Sequence, residues 1–591
     1  MNASFPAQRV PRVFSPLFCS AFLLSLLLTG CTLPGGATPS PTTSPTGAVL
    51  QNRCTTHTST PVQLAMLYGS EKQQWIDDVV ADFNTRNIRA CDGPISVKAT
   101  PIGSGDSLRR ISEGKMQPDI WSPAGSVWLP LLQEQWQQQH GRNIIETGAT
   151  DVPSLVTSPI VIAMWKPEAE ALGWPNTPIG WNTIAQLSTN PQGWAAYGHP
   201  EFGAFKFGHT HPDYSNSGLD AVIAEHYAAT NKVRGLTVGD VAGAKDFVAN
   251  VESSVIHYED STGFFAQKMF ADGPSYLSAA VMYESLVVEA NDGKSYPHLP
   301  YPVVSLYPKE GTFSSDHPFA ILQADWVTAA KKTSALAFRS FLLAKEQQQK
   351  ALRYGFRPAD TTIPIAAPLD SMHGVDAGQP KTLLQVPNVE VIKAIKASWN
   401  QQRRKVDVML ILDRSGSMND AIGGVRKIEA AKQGIAEFVG LLGDSDGLGI
   451  TTFSDTSQTL TPVSALGAKR QNVLDAVKGI TAAGNTRLFN TIDEQVRVVK
   501  AQPSKHIKAV IVLTDGMDNY NLLTVDRLVS SIAPAHGDSN AGAGVQVYTI
   551  AYGGDADVAG LTKIADATGG KEYTGNPQNI QQVYQLISVF F

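Results

Sequence analysis

Short apolar runs, each closed by a small-residue turn and followed by residues at helical spacing, recur along this chain and most limit what it can fold into. Val62-Gln63-Leu64-Ala65-Met66-Leu67 reads as a buried strand. Gly69 and Ser70 turn the chain, and Trp75, Ile76, Val79, Val80 and Phe83 then give residues 74–83 helical spacing. The unit repeats with a strand over residues 95–100, a Gly103-Ser104-Gly105 turn and a helix over residues 107–113. A third strand starts at Pro118-Asp119-Ile120-Trp121 and stops at Ser122-Pro123-Ala124. Strands alternating with helices predict an α/β fold with mostly parallel sheets covered on both faces.

Residues 158–164, Ser-Pro-Ile-Val-Ile-Ala-Met, form another buried-strand run. Past it the composition shifts toward Trp, Gly and Asn, through Trp174, Trp181 and Trp194, and a second lobe is expected to begin there. Ser215-Asn216-Ser217-Gly218-Leu219 leads into a helix over residues 221–228, and residues 279–284 read as a strand ending in the polar pair Tyr283-Glu284. A strand returns over residues 302–307 before the turn Pro308-Lys309-Glu310-Gly311-Thr312. His209 and His211, in Gly208-His209-Thr210-His211-Pro212-Asp213, have donors for a metal, but loop histidines beside a proline are usually surface groups.

The order of these elements resembles a bacterial extracellular solute-binding protein, of the two-lobed type that includes molybdate- and sulfate-binding proteins. The resemblance rests on Asp119-Ile120-Trp121-Ser122-Pro123, the turn at residues 215–218, Tyr307-Pro308 with Gly311-Thr312, and Gly355-Phe356-Arg357-Pro358. It implies two α/β lobes over residues 50–400, joined by crossing strands, with a ligand in the cleft. Helix N-termini expose unpaired N–H groups and a partial positive charge, so a small polar or anionic solute is the expected ligand. Ser70, Ser104, Ala124, Ser217 and Tyr283 are the candidate cleft residues, although Ser and Gly at such places also serve simply as caps and turns.

The last third has a different signature. Lys405-Val-Asp-Val-Met-Leu-Ile-Leu412 reads as a strand running into Asp413-Arg414-Ser415-Gly416-Ser417, a D-x-S-x-S run at a strand's C-terminal end. Open α/β sheets place ligands at such ends. A helix over residues 427–442 and strands over residues 447–453, 507–514 and 545–551 follow. The third of these four strands ends in Thr514-Asp515-Gly516, and Gly484-Asn485-Thr486 lies between. These residues resemble a von Willebrand factor type A domain over residues 404–591, a doubly wound, Rossmann-like fold. The resemblance implies a metal-ion-dependent adhesion site on Asp413, Ser415, Ser417, Thr486 and Asp515. By that precedent Ser415, Ser417 and Thr486 touch the cation and the two aspartates act mostly through water. An acidic residue of a protein partner fills the remaining position. Independently of the resemblance, hydroxyl and carboxylate oxygens are hard ligands, so Mg²⁺ is expected first, with Mn²⁺ or Ca²⁺ as alternatives. Asp413 at a strand end and Thr486 in a loop are not expected to fill the core.

The chain's start is read as targeting rather than fold. Arg9 and Arg12 precede an apolar stretch too short to span a bilayer, followed by Leu28-Thr29-Gly30-Cys31. The last four residues resemble a lipobox. Residues 1–30 are then a lipoprotein signal peptide, Cys31 carries the lipid, and residues 31–49, rich in Pro, Thr and Ser, form a tether. This places the protein at the extracytoplasmic face of a cell membrane, held only by its lipid. Cys54 and Cys91 remain as one pair, expected to be a disulfide in an oxidising compartment.

With 47 Lys plus Arg against 53 Asp plus Glu and no basic block, the chain has no footprint for nucleic acid. No Gly-x-Ser-x-Gly elbow, His-Glu-x-x-His helix or Walker loop appears, so no enzyme activity is expected. The sequence supports a cell-surface lipoprotein that binds a small solute in one half and a protein partner through a divalent cation in the other. The alternative is an adhesion or assembly factor with a degenerate cleft and no transport role.

Overall fold

The computed structural model describes residues 59–90, 93–146, 151–256, 258–520, 522–533 and 544–591. The signal peptide, the tether, the Cys31 lipid and the Cys54–Cys91 disulfide lie outside the described residues. No helix among those described is long and apolar enough to cross a membrane.

Three large sheets organise the described residues, beside a two-stranded hairpin of Ala421–Ile422 and Val425–Arg426. The first has the order Ala320–Ile321, Ile120–Ser122, Val62–Tyr68, Gly93–Pro101, Arg89–Ala90. Its central strand pairs in parallel with both neighbours, Val62 opposite Ile95 and Met66 opposite Ile120. The helix Gln73–Thr85 lays Trp75, Ile76, Val79 and Phe83 on this sheet, as their spacing predicts. The second sheet is built around Val156–Trp165, which pairs with Ala279–Tyr283, Val303–Leu306, Ser314–Ser315 and Arg357–Pro358. The second lobe therefore takes in this strand rather than starting after it. Nine of its ten residues are buried or carry an apolar side chain into the core, a pattern that fits a central strand in either lobe, so composition alone misplaced the boundary.

After Arg357 the chain wraps the second lobe. The helix Val389–Gln402 packs against the helices Asn216–Thr230, Val238–Gly243 and Lys245–Glu252, and leads directly into the third sheet.

That third sheet runs Ser457–Ala465, Gly447–Phe453, Val406–Asp413, Ile507–Thr514, Val545–Tyr552, Glu572–Gly575. In chain order this is 3-2-1-4-5-6, and every pairing is parallel except that of Ser457–Ala465. The strand Val406–Asp413 is wholly buried. Met409 and Ile411 face one core, and Val408, Leu410 and Leu412 the other, so helices cover both faces. Strand order reverses between Val406–Asp413 and Ile507–Thr514. A doubly wound sheet opens its ligand crevice at that switch point, beyond the strands' C-terminal ends.

Candidate functional site

Asp413 ends one strand of the switch point and Asp515 follows the other. The N–H of Ser415 donates to Asp413 Oδ1 at 2.8 Å, and the Thr514 hydroxyl donates to Oδ2 at 2.6 Å. Ser415 and Ser417 hydroxyls lie 3.1 Å apart, and Ser417 donates to Asp515 Oδ1 at 2.9 Å. Thr486 arrives on a separate loop. Gly484, at φ +92°, lets its carbonyl accept from the Gly416 N–H at 2.9 Å, which pulls the two loops together. The Thr486 N–H donates to Asn519 Oδ1 at 2.9 Å, and the Asn519 N–H returns to the Thr486 carbonyl at 3.1 Å. Thr486 Oγ1 sits 3.5 Å from where a Cβ on Gly516 would lie. The five residues expected to bind metal are thus gathered at one place.

Asp413, Ser415, Thr486 and Asp515 are buried, while Ser417 is exposed and Met517, 63% exposed, stands on the same rim. The expectation that Asp413 and Thr486 stay out of the interior is therefore corrected. The Asp413 carboxylate closes hydrogen bonds that hold the loops, so removing it disturbs more than a ligand, whereas Thr486 ties its loop to Asn519 through its backbone and keeps those bonds without its side chain. Burial, with Asp515 adding to it, pushes the Asp413 carboxyl up to about 6 against the opposing bonds from Thr514 and Ser415. An all-oxygen set with two buried carboxylates and one open side fits a hard divalent cation.

Lys427 was not anticipated. Its ammonium donates to Asp515 Oδ2 at 2.7 Å, with both side chains at most 5% exposed. Asp518 was also missed: its Oδ1 accepts from the Leu488 and Phe489 N–H groups and caps the helix Leu488–Lys500 beside Thr486. The Asp-Gly-Met-Asp-Asn run was its only signal in the sequence. For Lys427, the first residue of a helix, there was none.

The five cleft candidates also come together, at the seam between the lobes, but their polar groups are largely engaged by protein. Ser70 Oγ accepts from the Gly263 N–H at 3.0 Å across the seam. Ser104 Oγ accepts from the Ala124 N–H at 3.0 Å, and the Ala124 carbonyl from the His317 N–H at 3.0 Å. Ser217 Oγ lies 2.9 Å from Thr210 Oγ1 and 2.8 Å from Thr262 Oγ1. The N-terminus of the helix Ser104–Ser112 points at the opposite lobe, where the Tyr214 carbonyl accepts from the Gly105 and Asp106 N–H groups at 2.8 and 3.2 Å. A Cβ at Gly103 would lie 2.4 Å from the Asp260 carbonyl, so backbone stands where a ligand would approach. Nearby, burial alone would raise the Glu71 carboxyl, but Lys72 and His317 hold it down at about 2. Tyr283 is the least engaged: its buried hydroxyl closes no well-formed hydrogen bond among the described residues, although Asn216 and Thr262 stand near enough to act on it. A cavity of about 530 Å³ lies to one side, lined in part by Arg109, Trp128, Asp213, Lys393 and Lys396.

His209 and His211, expected at the surface, are buried at 0% and 9% exposure beneath the helix Val389–Gln402, which no local sequence signal announces.

Residues 64–357 match the family model of the bacterial extracellular solute-binding proteins, and residues 407–588 that of the von Willebrand factor type A domain. The chain thus joins a two-lobed solute-binding-type region to a Rossmann-like type A domain. Two uncharacterized proteins from two strains of Mycobacterium tuberculosis are each 22% identical over 470 residues, which is 77% of this chain. The chain spans only 64% of the length of these relatives. Among solved structures, a von Willebrand factor type A protein from Catenulispora acidiphila is 24% identical, with 32% of this chain and 42% of that one covered and a TM-score of 0.27. A periplasmic thiamin-binding protein is 12% identical, with 59% and 98% covered and a TM-score of 0.42. The periplasmic binding protein AfuA from Actinobacillus pleuropneumoniae is 14% identical, with 58% and 99% covered and a TM-score of 0.40.

Proposed function

We propose that this chain is a lipid-anchored, extracytoplasmic binding protein that captures an acidic protein partner through a divalent cation on its type A domain. The two-lobed region serves as its scaffold. One observation carries this reading: five oxygen-bearing side chains meet at the switch point with one side open at Ser417. Asp413, Ser415, Ser417, Thr486 and Asp515 would hold Mg²⁺, which supplies a coordination position for a carboxylate. Lys427 adds to this. Two aspartates alone would neutralise a divalent cation, whereas two aspartates with a buried ammonium leave the loaded site net positive, which favours an incoming carboxylate. The reading requires binding and no catalytic step.

The test loads the full chain with Mn²⁺ and follows water-proton relaxation as a carboxylate-bearing peptide is added. Displacement of bound water in the wild type and not in Thr486→Ala supports the reading. Unchanged relaxation in the wild type overturns it.

A second reading keeps solute binding, and the little-engaged Tyr283 hydroxyl favours it. A buried polar group with no well-formed hydrogen bond calls for a water or a ligand. In this reading the lobes part to admit a small polar or anionic solute. Native mass spectrometry of gently purified protein decides between them: a co-purified small molecule supports the second reading, and bare mass argues for a cleft that serves only as a seam.

A further inference from the structure

Deep in the second lobe, one imidazole and two carboxylates face one another in a cluster that neither reading above uses. His209 follows the strand Phe207–Gly208, Glu225 lies in the helix Asn216–Thr230, and Glu252 ends the helix Lys245–Glu252. All three are 0% exposed, and one potential ligand atom from each lies within 4.8 Å of the others.

The hydrogen bonds around the cluster define its chemistry. His209 Nδ1 is 2.8 Å from the Thr210 carbonyl, which can only accept, so Nδ1 carries the hydrogen. Nε2 then turns its lone pair toward Glu252 Oε1 at 2.9 Å. A lone pair facing a carboxylate oxygen needs a cation between them, a proton or a metal. Glu252 is itself held: the Trp399 indole N–H donates to Oε1 at 2.7 Å and the Tyr258 hydroxyl to Oε2 at 2.6 Å. Both oxygens of Glu225 are buried without a hydrogen-bond partner among the described residues. A single proton satisfies one gap and leaves the rest of Glu225 orphaned, at the cost of an unmet buried polar group. A divalent cation answers both carboxylates and the imidazole together. Burial, with Glu252 beside it, pushes the Glu225 carboxyl well upward, the cost that such a cation would remove.

We propose that His209, Glu225 and Glu252 form a buried site for a first-row divalent cation, Zn²⁺ in the first instance. An imidazole nitrogen with two carboxylates suits Zn²⁺, whereas Mg²⁺ prefers oxygen alone and keeps its waters. The Nδ1–H bond to a backbone carbonyl, and the indole and phenol on Glu252, are outer contacts of the kind that orient metal ligands. The site also has a structural consequence. Trp399 sits in the helix that enters the type A domain, and the Tyr258 N–H reaches the Phe590 carbonyl at 3.5 Å. A cation here fastens the second lobe to the type A domain.

The test strips the full chain with chelator, reloads it with Zn²⁺, dialyses it and measures zinc by plasma mass spectrometry, for the wild type and for Glu225→Gln. The proposal expects one more zinc per chain in the wild type than in the variant. In parallel, Co²⁺-loaded wild type should show strong visible bands of a nitrogen-containing, low-coordinate site, absent from Glu225→Gln. The all-oxygen site at Asp413 is unchanged in both proteins and cancels from the comparison. Equal zinc in two folded proteins overturns the proposal, and with a raised melting temperature in Glu225→Gln it identifies the cluster as an acid sharing a proton with its neighbour. Should Glu225→Gln not fold, wild-type protein that shows no strong visible bands with Co²⁺ overturns it equally.

Discussion

The indole N–H of Trp128 donates to the side-chain oxygen of Asn216 at 3.0 Å, joining the first lobe to the second. The amide nitrogen of Asn216 is engaged as well, donating to Asp220 Oδ2 at 2.7 Å and to Ser315 Oγ at 3.0 Å. All these groups are buried. One asparagine, fixed within the second lobe by Asp220 and Ser315, therefore ties the first lobe to it, in the region where a solute-binding cleft would open.

Replacing Asn216 with Ala should destabilise the chain by about 2–3 kcal/mol, because the Trp128 N–H and its other partners are left buried and unmet. Trp128→Phe removes the donor with little loss of volume and should cost about 1 kcal/mol. Urea unfolding of both variants measures the difference. Equal stability of Asn216→Ala and wild type would show that this bond does not hold the lobes.

Asp220 makes the seam sensitive to pH. Burial, reinforced by Asp316 and opposed by bonds from Asn216 and Ser315, pushes its carboxyl up to about 8. The folded chain therefore keeps a proton that the unfolded chain releases near pH ~3.9. Its contribution to stability is complete below that pH, declines as pH rises toward about 8, and changes no further above it. Asp220→Asn should flatten this part of the profile. Melting temperatures of wild type and variant across this range should diverge steadily, and parallel curves would contradict the assignment.

Lys427→Met tests the ammonium beside the proposed metal site. Without it Asp515 Oδ2 is free, and a repelling charge near the cation is gone. Divalent affinity should rise by about tenfold or more, on the order of 1.4 kcal/mol. The metal-free protein should melt lower, since a buried carboxylate has lost its partner. Calorimetric Mn²⁺ titration and melting with and without metal read both effects. Unchanged affinity would mean that Lys427 does not see the cation.

What the sequence made legible follows from the range of each signal. The apolar run leading into Asp413 and the spacing of Trp75, Ile76, Val79 and Phe83 are local, and the structure contains both elements. Asp413, Ser415 and Ser417 share one turn, and the switch point then requires Asp515 to stand opposite. Lys427, by contrast, meets Asp515 across 88 residues of chain, and a lysine opening a helix looks like any solvated charge. Trp399 reaches Glu252 across 147 residues and turns an apparent surface loop at His209 into interior. The occupied seam was illegible for the same reason: Gly103 and Ser104 announce a helix N-terminus, but not that the Tyr214 carbonyl, a hundred residues on, faces it.

Ser417→Ala and Asp413→Asn together separate metal binding from folding. Ser417 is exposed, and its hydroxyl donates to Asp515 Oδ1 and accepts from the Ser415 hydroxyl, so its loss should cost about 1 kcal/mol of stability. It nevertheless removes a hydroxyl that the reading places on the cation, and Mg²⁺ tolerates an incomplete octahedron badly. Asp413→Asn keeps the size of a fully buried side chain but gives up a negative charge and an acceptor for Thr514 or the Ser415 N–H. It should cost more stability than Ser417→Ala and weaken metal binding at least as much. Calorimetric Mn²⁺ titration beside urea unfolding places each variant on both axes. The expected result is a large loss of affinity in both, with stability nearly intact only in Ser417→Ala. If Ser417→Ala binds Mn²⁺ as the wild type does, the cation does not sit where the five oxygens meet, and the proposed capture of an acidic partner loses its anchor.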